Sequence, residues 1–253
     1  MQENSTELAE KDFIFDKKVE CPVCGNSFTS KVVKTGRSRF IGTDMDLRPR
    51  YTGIDTVKYD VYMCPKCGYA AVAREFTNIT PRQKQTLKDE VCSKFQGMPE
   101  ADEIYTYDNA IIRYKMALLS AIKKPAKLSE CAFLCLKLAW LYRGVKESLC
   151  PDDDVDSLPD NVKEIVESSQ KEEANYIREA YYGFTEALTK EYPPICGMDE
   201  VTINYLMSVL AYKNGDFDNA SKYGYSVLSS RSATAKIKDK ERDLMDKLKS
   251  DKM

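Results

Sequence analysis

Two near-identical cysteine turns, Cys21-Pro22-Val23-Cys24-Gly25 and Cys64-Pro65-Lys66-Cys67-Gly68, constrain this 253-residue chain more than any other feature. A Cys-x-x-Cys turn presents two sulfurs from one tight loop, and two such loops supply the tetrahedral thiolate set that structural zinc prefers. Pro22 and Pro65 stiffen the turns, while Gly25 and Gly68 can adopt the positive φ needed as the chain leaves. The chain has no histidine, so a site with soft ligands must be built from cysteine. The expectation is one site, Cys21, Cys24, Cys64 and Cys67, holding a structural Zn2+. An iron–sulfur or rubredoxin-like iron site uses the same ligands and stays open as the alternative. A redox dithiol would explain one hook but not a matched pair. With four protein ligands the site is closed and has no position for a catalytic water.

The spacing departs from the commonest ribbon. Thirty-nine residues separate Cys24 from Cys64, where about 15–20 is usual, so an elaborated loop or an extra hairpin must lie between them. Around the hooks the pattern is β: Phe28 to Val33 is rich in β-branched and aromatic residues, and Val57, Tyr59, Val61 and Met63 alternate into the second hook. Gly36, Gly42 and Pro49 break the segment between.

Beyond Gly68 the character turns helical. Thr80-Pro81 reads as an N-cap with proline at the first helical position, followed by Leu87, Val91 and Phe95 at four-residue spacing, with Gly97 and Pro99 ending the helix. Three later segments share a spacing that resembles the second helix of a tetratricopeptide repeat: Tyr107 to Leu118, Arg178 to Leu188, and Gly215 to Leu228. Ser129 to Tyr142 and Val201 to Tyr212 supply plausible first helices. Gly224 stands where the repeat wants an aromatic residue, and the acidic stretch SLCPDDDVDSLPDN reads as a loop. The expected architecture is α+β, mainly α: a flexible N-terminus over 1–16, a small zinc-ribbon-like β module over 17–78, a tetratricopeptide-like antiparallel helical array over 79–232, and a capping helix or frayed tail over 233–253.

Composition sets the class. With 31% charged residues and no apolar run near the roughly 18 residues of a membrane span, a soluble protein is expected, with no membrane partner. The polar, acidic start lacks the pattern of a signal peptide. Nine cysteines, two hooks among them, fit a reducing cytoplasm better than a disulfide framework.

The run from Cys21 through Ala71 resembles a bacterial family catalogued as domain-of-unknown-function family 2225. The residues that carry the resemblance are CPVCG, the RSRFIGTDMDLRPRY loop, YDVYMCPKCGYAA and the helical region behind them. What the resemblance implies is an architecture, a bacterial cytosolic zinc-ribbon-like module fused to tetratricopeptide-like helices. It transfers no activity to particular residues.

The net charge of −2 hides an asymmetry. Six basic residues face two acids between Lys31 and Tyr51, and ten acids face two lysines between Glu147 and Glu173. Arg37, Arg39, Arg48 and Arg50 form two Arg-x-Arg pairs, so that in an extended chain each pair projects to one face. Such forks bind phosphate or carboxylate bidentately, and Tyr51 and Phe40 lie alongside for stacking. The competing reading is that these arginines pair with Asp44, Asp46 or the acidic stretch and pin the loop. No nucleotide-binding glycine loop and no catalytic constellation is present, so a non-enzymatic function is expected. The first expectation is a scaffold that binds a protein or peptide partner in a helical groove. The alternative is a nucleic-acid- or phosphate-ligand-binding protein acting through the arginine loop. Partner identity and oligomeric state are not written in the sequence.

Overall fold

A computed structural model describes residues 9–98 and 103–251. The first eight residues of the expected flexible N-terminus, and Pro99 of the expected helix stop, lie outside the described residues. The chain is α+β and mainly α, and it divides into two compact units. One comprises Met1–Thr43 with Pro49–Pro125, and the other Asp44–Arg48 with Ala126–Met253.

In the first unit, three hairpins follow one another. Strands β1 (Ile14–Glu20) and β2 (Ser27–Val33) pair antiparallel with Val19 opposite Phe28, so the first cysteine hook is the turn between them. Strands β3 (Phe40–Thr43) and β4 (Pro49–Tyr51) form the extra hairpin that the long spacing requires. Strands β5 (Val61–Met63) and β6 (Ala70–Val72) flank the second hook. Helix α1 (Pro81–Glu90) starts at Thr80, whose side chain accepts from the Gln83 amide while Gln83 reaches back to the Thr80 amide, a capping box. Tyr69, Phe76, Leu87 and Val91 pack around the hooks.

Two expectations change here. Within the stretch 1–16 expected to be flexible, a short 3-10 helix spans Glu10–Phe13, and Phe13 and Ile14 are buried against Ile54, Tyr59 and Tyr105. The boundary expected at 78 moves to 125, because helix α2 (Tyr107–Lys123) belongs to this unit. Helix α2, with Ala110, Tyr114 and Ala117 buried, packs chiefly on β5 and β6. The Tyr114 hydroxyl donates to the Val57 carbonyl at 2.9 Å, and the Ala70 amide donates to Ser120 Oγ at 3.4 Å.

The second unit is helical. Helices α3 (Leu128–Leu149) and α4 (Asp160–Ala187) pack along each other, closely enough that a Cβ on Gly183 would sit 2.9 Å from Ala132 Cβ. The acidic stretch is thus a loop only over its middle, since Leu149 closes α3 and Asp160 opens α4. Helices α5 (Glu200–Lys213) and α6 (Phe217–Ser229) are joined by a tight turn with Gly215 at φ +74°, and Asp199 and Asp216 cap their N-termini. The tail forms helix α7 (Ala235–Asp251), which buries Glu241, Leu244, Met245 and Leu248 on α5 and α6.

Candidate metal centre

Each hook is built by the same backbone contacts. The Gly25 and Gly68 amides donate to the Cys21 and Cys64 carbonyls, both at 2.9 Å, and the Cys21 and Cys64 amides donate to the Asn26 and Tyr69 carbonyls, again at 2.9 Å. The two glycines turn the chain out at φ +73° and +74°. At Gly68 the need is doubled, because a Cβ there would overlap the Phe95 ring at 2.5 Å. The hooks bring all four sulfurs within 4.8 Å of one another, with Cys21–Cys67 and Cys24–Cys64 at 3.6 Å.

That geometry fits a tetrahedral metal. A zinc–thiolate bond of about 2.3 Å sets sulfur–sulfur edges of about 3.8 Å, close to the observed spacing. Cys21, Cys64 and Cys67 are buried and Cys24 half-buried. With no cation present, hydrogen bonds from Cys21 and Cys67 lower the Cys64 thiol, while the same contacts and burial raise Cys21 and Cys67. Four thiolates within 4.8 Å of one another repel, and a cation among them offsets that repulsion. Asn26 Nδ2 points at Cys64 Sγ from 3.9 Å, and Cys92 packs against the cluster. Neither stood out in the sequence. Asn26 simply follows the first hook, and Cys92 lies outside both Cys-x-x-Cys turns.

The arginine loop does not hold together as one exposed site. Arg48 is 1% exposed, and its Nη1 donates to Glu147 Oε2 at 3.1 Å. It is therefore withdrawn from the expected anion site, because it is buried with its Nη1 bonded to Glu147 near the end of α3. Asp44 and Asp46 in the same segment take Arg143: Nη1 donates to Asp44 Oδ2 and Asp46 Oδ1, both at 3.0 Å, and Nη2 to Asp46 Oδ2, while Nε donates to Glu173 Oε1 at 2.8 Å. Lys213 Nζ lies 3.5 Å from Asp46. Burial alone would raise the Asp46 carboxyl, but Arg143, with Lys213 behind it, holds it below the usual carboxylate range. Arg50 lies half-buried on β4, and Tyr51 beside it meets the Phe40 ring edge-on at 5.4 Å. Arg37 and Arg39 are exposed.

No described helix is long and apolar enough to cross a membrane. A mainly helical α+β chain with a four-cysteine cluster, able to hold a metal ion between two hairpin turns, defines the class. The chain matches, over residues 14–248, the family described as "Uncharacterized protein conserved in bacteria (DUF2225)", and it belongs to that family. It is also similar to an "Uncharacterized protein" from Borreliella burgdorferi, 30% identical over 118 residues. That match covers 41% of this chain and 42% of the relative. No solved structure matches the chain.

Proposed function

We propose that Cys21, Cys24, Cys64 and Cys67 hold a structural Zn2+ that fastens β1–β2 to β5–β6 as a zinc-ribbon-like module, and that the protein is a non-enzymatic, cytoplasmic scaffold. The cage carries the first half: it uses four protein ligands, so the metal holds a fold and has no open position for chemistry. Nine cysteines, none paired in a disulfide among the described residues, support a reducing compartment. For the second half the supporting observation is an apolar stripe on α2, where Ile112, Leu119 and Ile122 share a face and are 46%, 38% and 58% exposed. Tyr182 and Tyr225 are exposed on α4 and α6, and tyrosine suits contact surfaces. The α5–α6 pair, with its Gly215 turn and fully buried Ala220, supports a tetratricopeptide-like array for α3–α7. Affinity capture with the wild type and with Ile112→Glu/Ile122→Glu tests the reading. It predicts one discrete protein partner that survives nuclease and is lost in the variant. Equal capture by both, or loss of every partner on nuclease treatment, would refute it.

A second reading rests on Arg37 and Arg39, exposed beside Phe40 and Ile41, which are 48% and 61% exposed. Two guanidinium forks next to apolar side chains suit a nucleic-acid or phosphate ligand. Arg37→Glu/Arg39→Glu would then abolish a salt-sensitive association, which the scaffold reading leaves unchanged.

A further inference from the structure

Arg113 on α2 is 9% exposed and has no carboxylate beside it among the described residues. Its Nε donates to Asn109 Oδ1 at 2.7 Å, and its guanidinium lies 4.0 Å over the Tyr105 ring. Among the described residues the rest of the fork meets no hydrogen-bond acceptor or carboxylate, and burial pushes the group down from its usual range. A buried cation without a counter-charge is costly to maintain. Arg113 lines a cavity of about 530 Å³ in the first unit, within the range of small-molecule sites.

The remaining walls combine polar residues of β2, apolar side chains and one carboxylate, Asp16. Ser27, Thr29 and Lys31 alternate along β2, so all three present to one side of the strand. Lys31 is neutralised by Asp16, its register partner, at 3.3 Å, so Arg113 is the uncompensated charge. Met63 and Met98 provide apolar wall. Tyr105, which carries the guanidinium, is fixed on both sides: its hydroxyl accepts from the Lys31 amide at 3.1 Å and its ring stacks on Tyr59 at 5.2 Å. The fork is thus held in place before any ligand arrives.

We propose that this cavity binds a small organic anion, its single carboxylate or phosphate group held by the Arg113 guanidinium and the Ser27 and Thr29 hydroxyls, its apolar body against Met63 and Met98. The site is separate from the exposed Arg37 and Arg39 and does not depend on the scaffold reading.

The test is calorimetric titration of the zinc-loaded full chain with acetate, benzoate, inorganic phosphate and phenyl phosphate, at constant ionic strength against chloride. At least one probe is expected to saturate at one per chain, with benzoate against phenyl phosphate deciding between the two headgroups. Arg113→Gln should lose about tenfold or more in affinity, and Arg113→Lys should recover part of it. Ser27→Ala/Thr29→Val, on the exposed side of β2, should weaken binding several-fold with folding intact. Absence of saturable binding by all four probes would overturn the proposal. So would undiminished binding by Ser27→Ala/Thr29→Val, or by Arg113→Gln with its zinc retained.

Discussion

The carboxylate of Glu241 on α7 lies where a side chain on Gly224 of α6 would have to go. A Cβ on Gly224 would overlap Glu241 Oε1 and sit 2.9 Å from Met245 Sδ. Glu241 is fully buried, and Oε1 accepts from Ser208 Oγ at 2.8 Å, so it cannot swing aside cheaply. The missing aromatic of the repeat pattern is therefore the seat of the last helix.

Restoring that aromatic should displace α7. Gly224→Phe is expected to lower stability by about 3 kcal/mol through overpacking, read as a drop in the denaturant midpoint and faster proteolysis of the C-terminal helix. An unchanged midpoint would mean that α7 does not depend on this seat.

Glu241 also sets a pH dependence. Burial pushes its carboxyl up to about 7, whereas an unfolded glutamate titrates near about 4.3. Between those values the native state binds the extra proton, so this group's contribution to stability falls as pH rises through the window and is flat above it. Glu241→Gln removes the slope. Its stability relative to the wild type should rise with pH by up to about 3 kcal/mol, measured by urea unfolding from about pH 4 to pH 8. A difference that is constant with pH would contradict the assignment.

Asp46 has the opposite sign. Held low chiefly by Arg143 against its own burial, it stabilises the protein at neutral pH, and that contribution is lost as pH falls through its lowered range. Asp46→Asn leaves the 14%-exposed Arg143 side chain with less compensation, and should cost about 3–5 kcal/mol. Thermal unfolding at neutral pH checks this, and a loss within about 0.5 kcal/mol would reduce the cluster to a surface ion pair.

Among the arginines, burial separates two outcomes. Arg48→Gln breaks the contact with Glu147 and should lower the thermal transition, while Arg37→Gln should leave it within about 0.5 kcal/mol of the wild type. Equal effects on melting would remove the distinction drawn between pinned and exposed positions.

The hooks were legible because the chemistry is local: proline, glycine and two sulfurs within five residues specify a turn, and the matching copy specifies its partner. Thr80-Pro81 declared α1 for the same reason. Yet that helix stops at Glu90, where tertiary packing of Val91 and the placement of the Phe95 ring over Gly68 override the periodicity. What failed was the assignment of partners. The alanine and tyrosine spacing of α2 fits a helix as well as it fits a sheet, and only the Tyr114–Val57 bond shows which surface it covers. Arg48 looked like its three neighbours in sequence, and its distinction, burial against Glu147 ninety-nine positions away, has no local signal. Arg113 was silent for a similar reason, since an arginine inside an amphipathic helix reads as surface.

The metal itself is the most direct test. Elemental analysis with sulfur-edge and metal-edge X-ray absorption on protein purified without added metal should find one zinc per chain with four sulfur ligands at about 2.3 Å. Cys64→Ser should lose both the metal and the cooperative unfolding of the first unit, because structural zinc contributes roughly 10–16 kcal/mol in small zinc peptides. Stoichiometric iron would correct the element and keep the cage. Four free thiols with no metal, or a Cys64→Ser variant that keeps its metal and its native transition, would contradict the account.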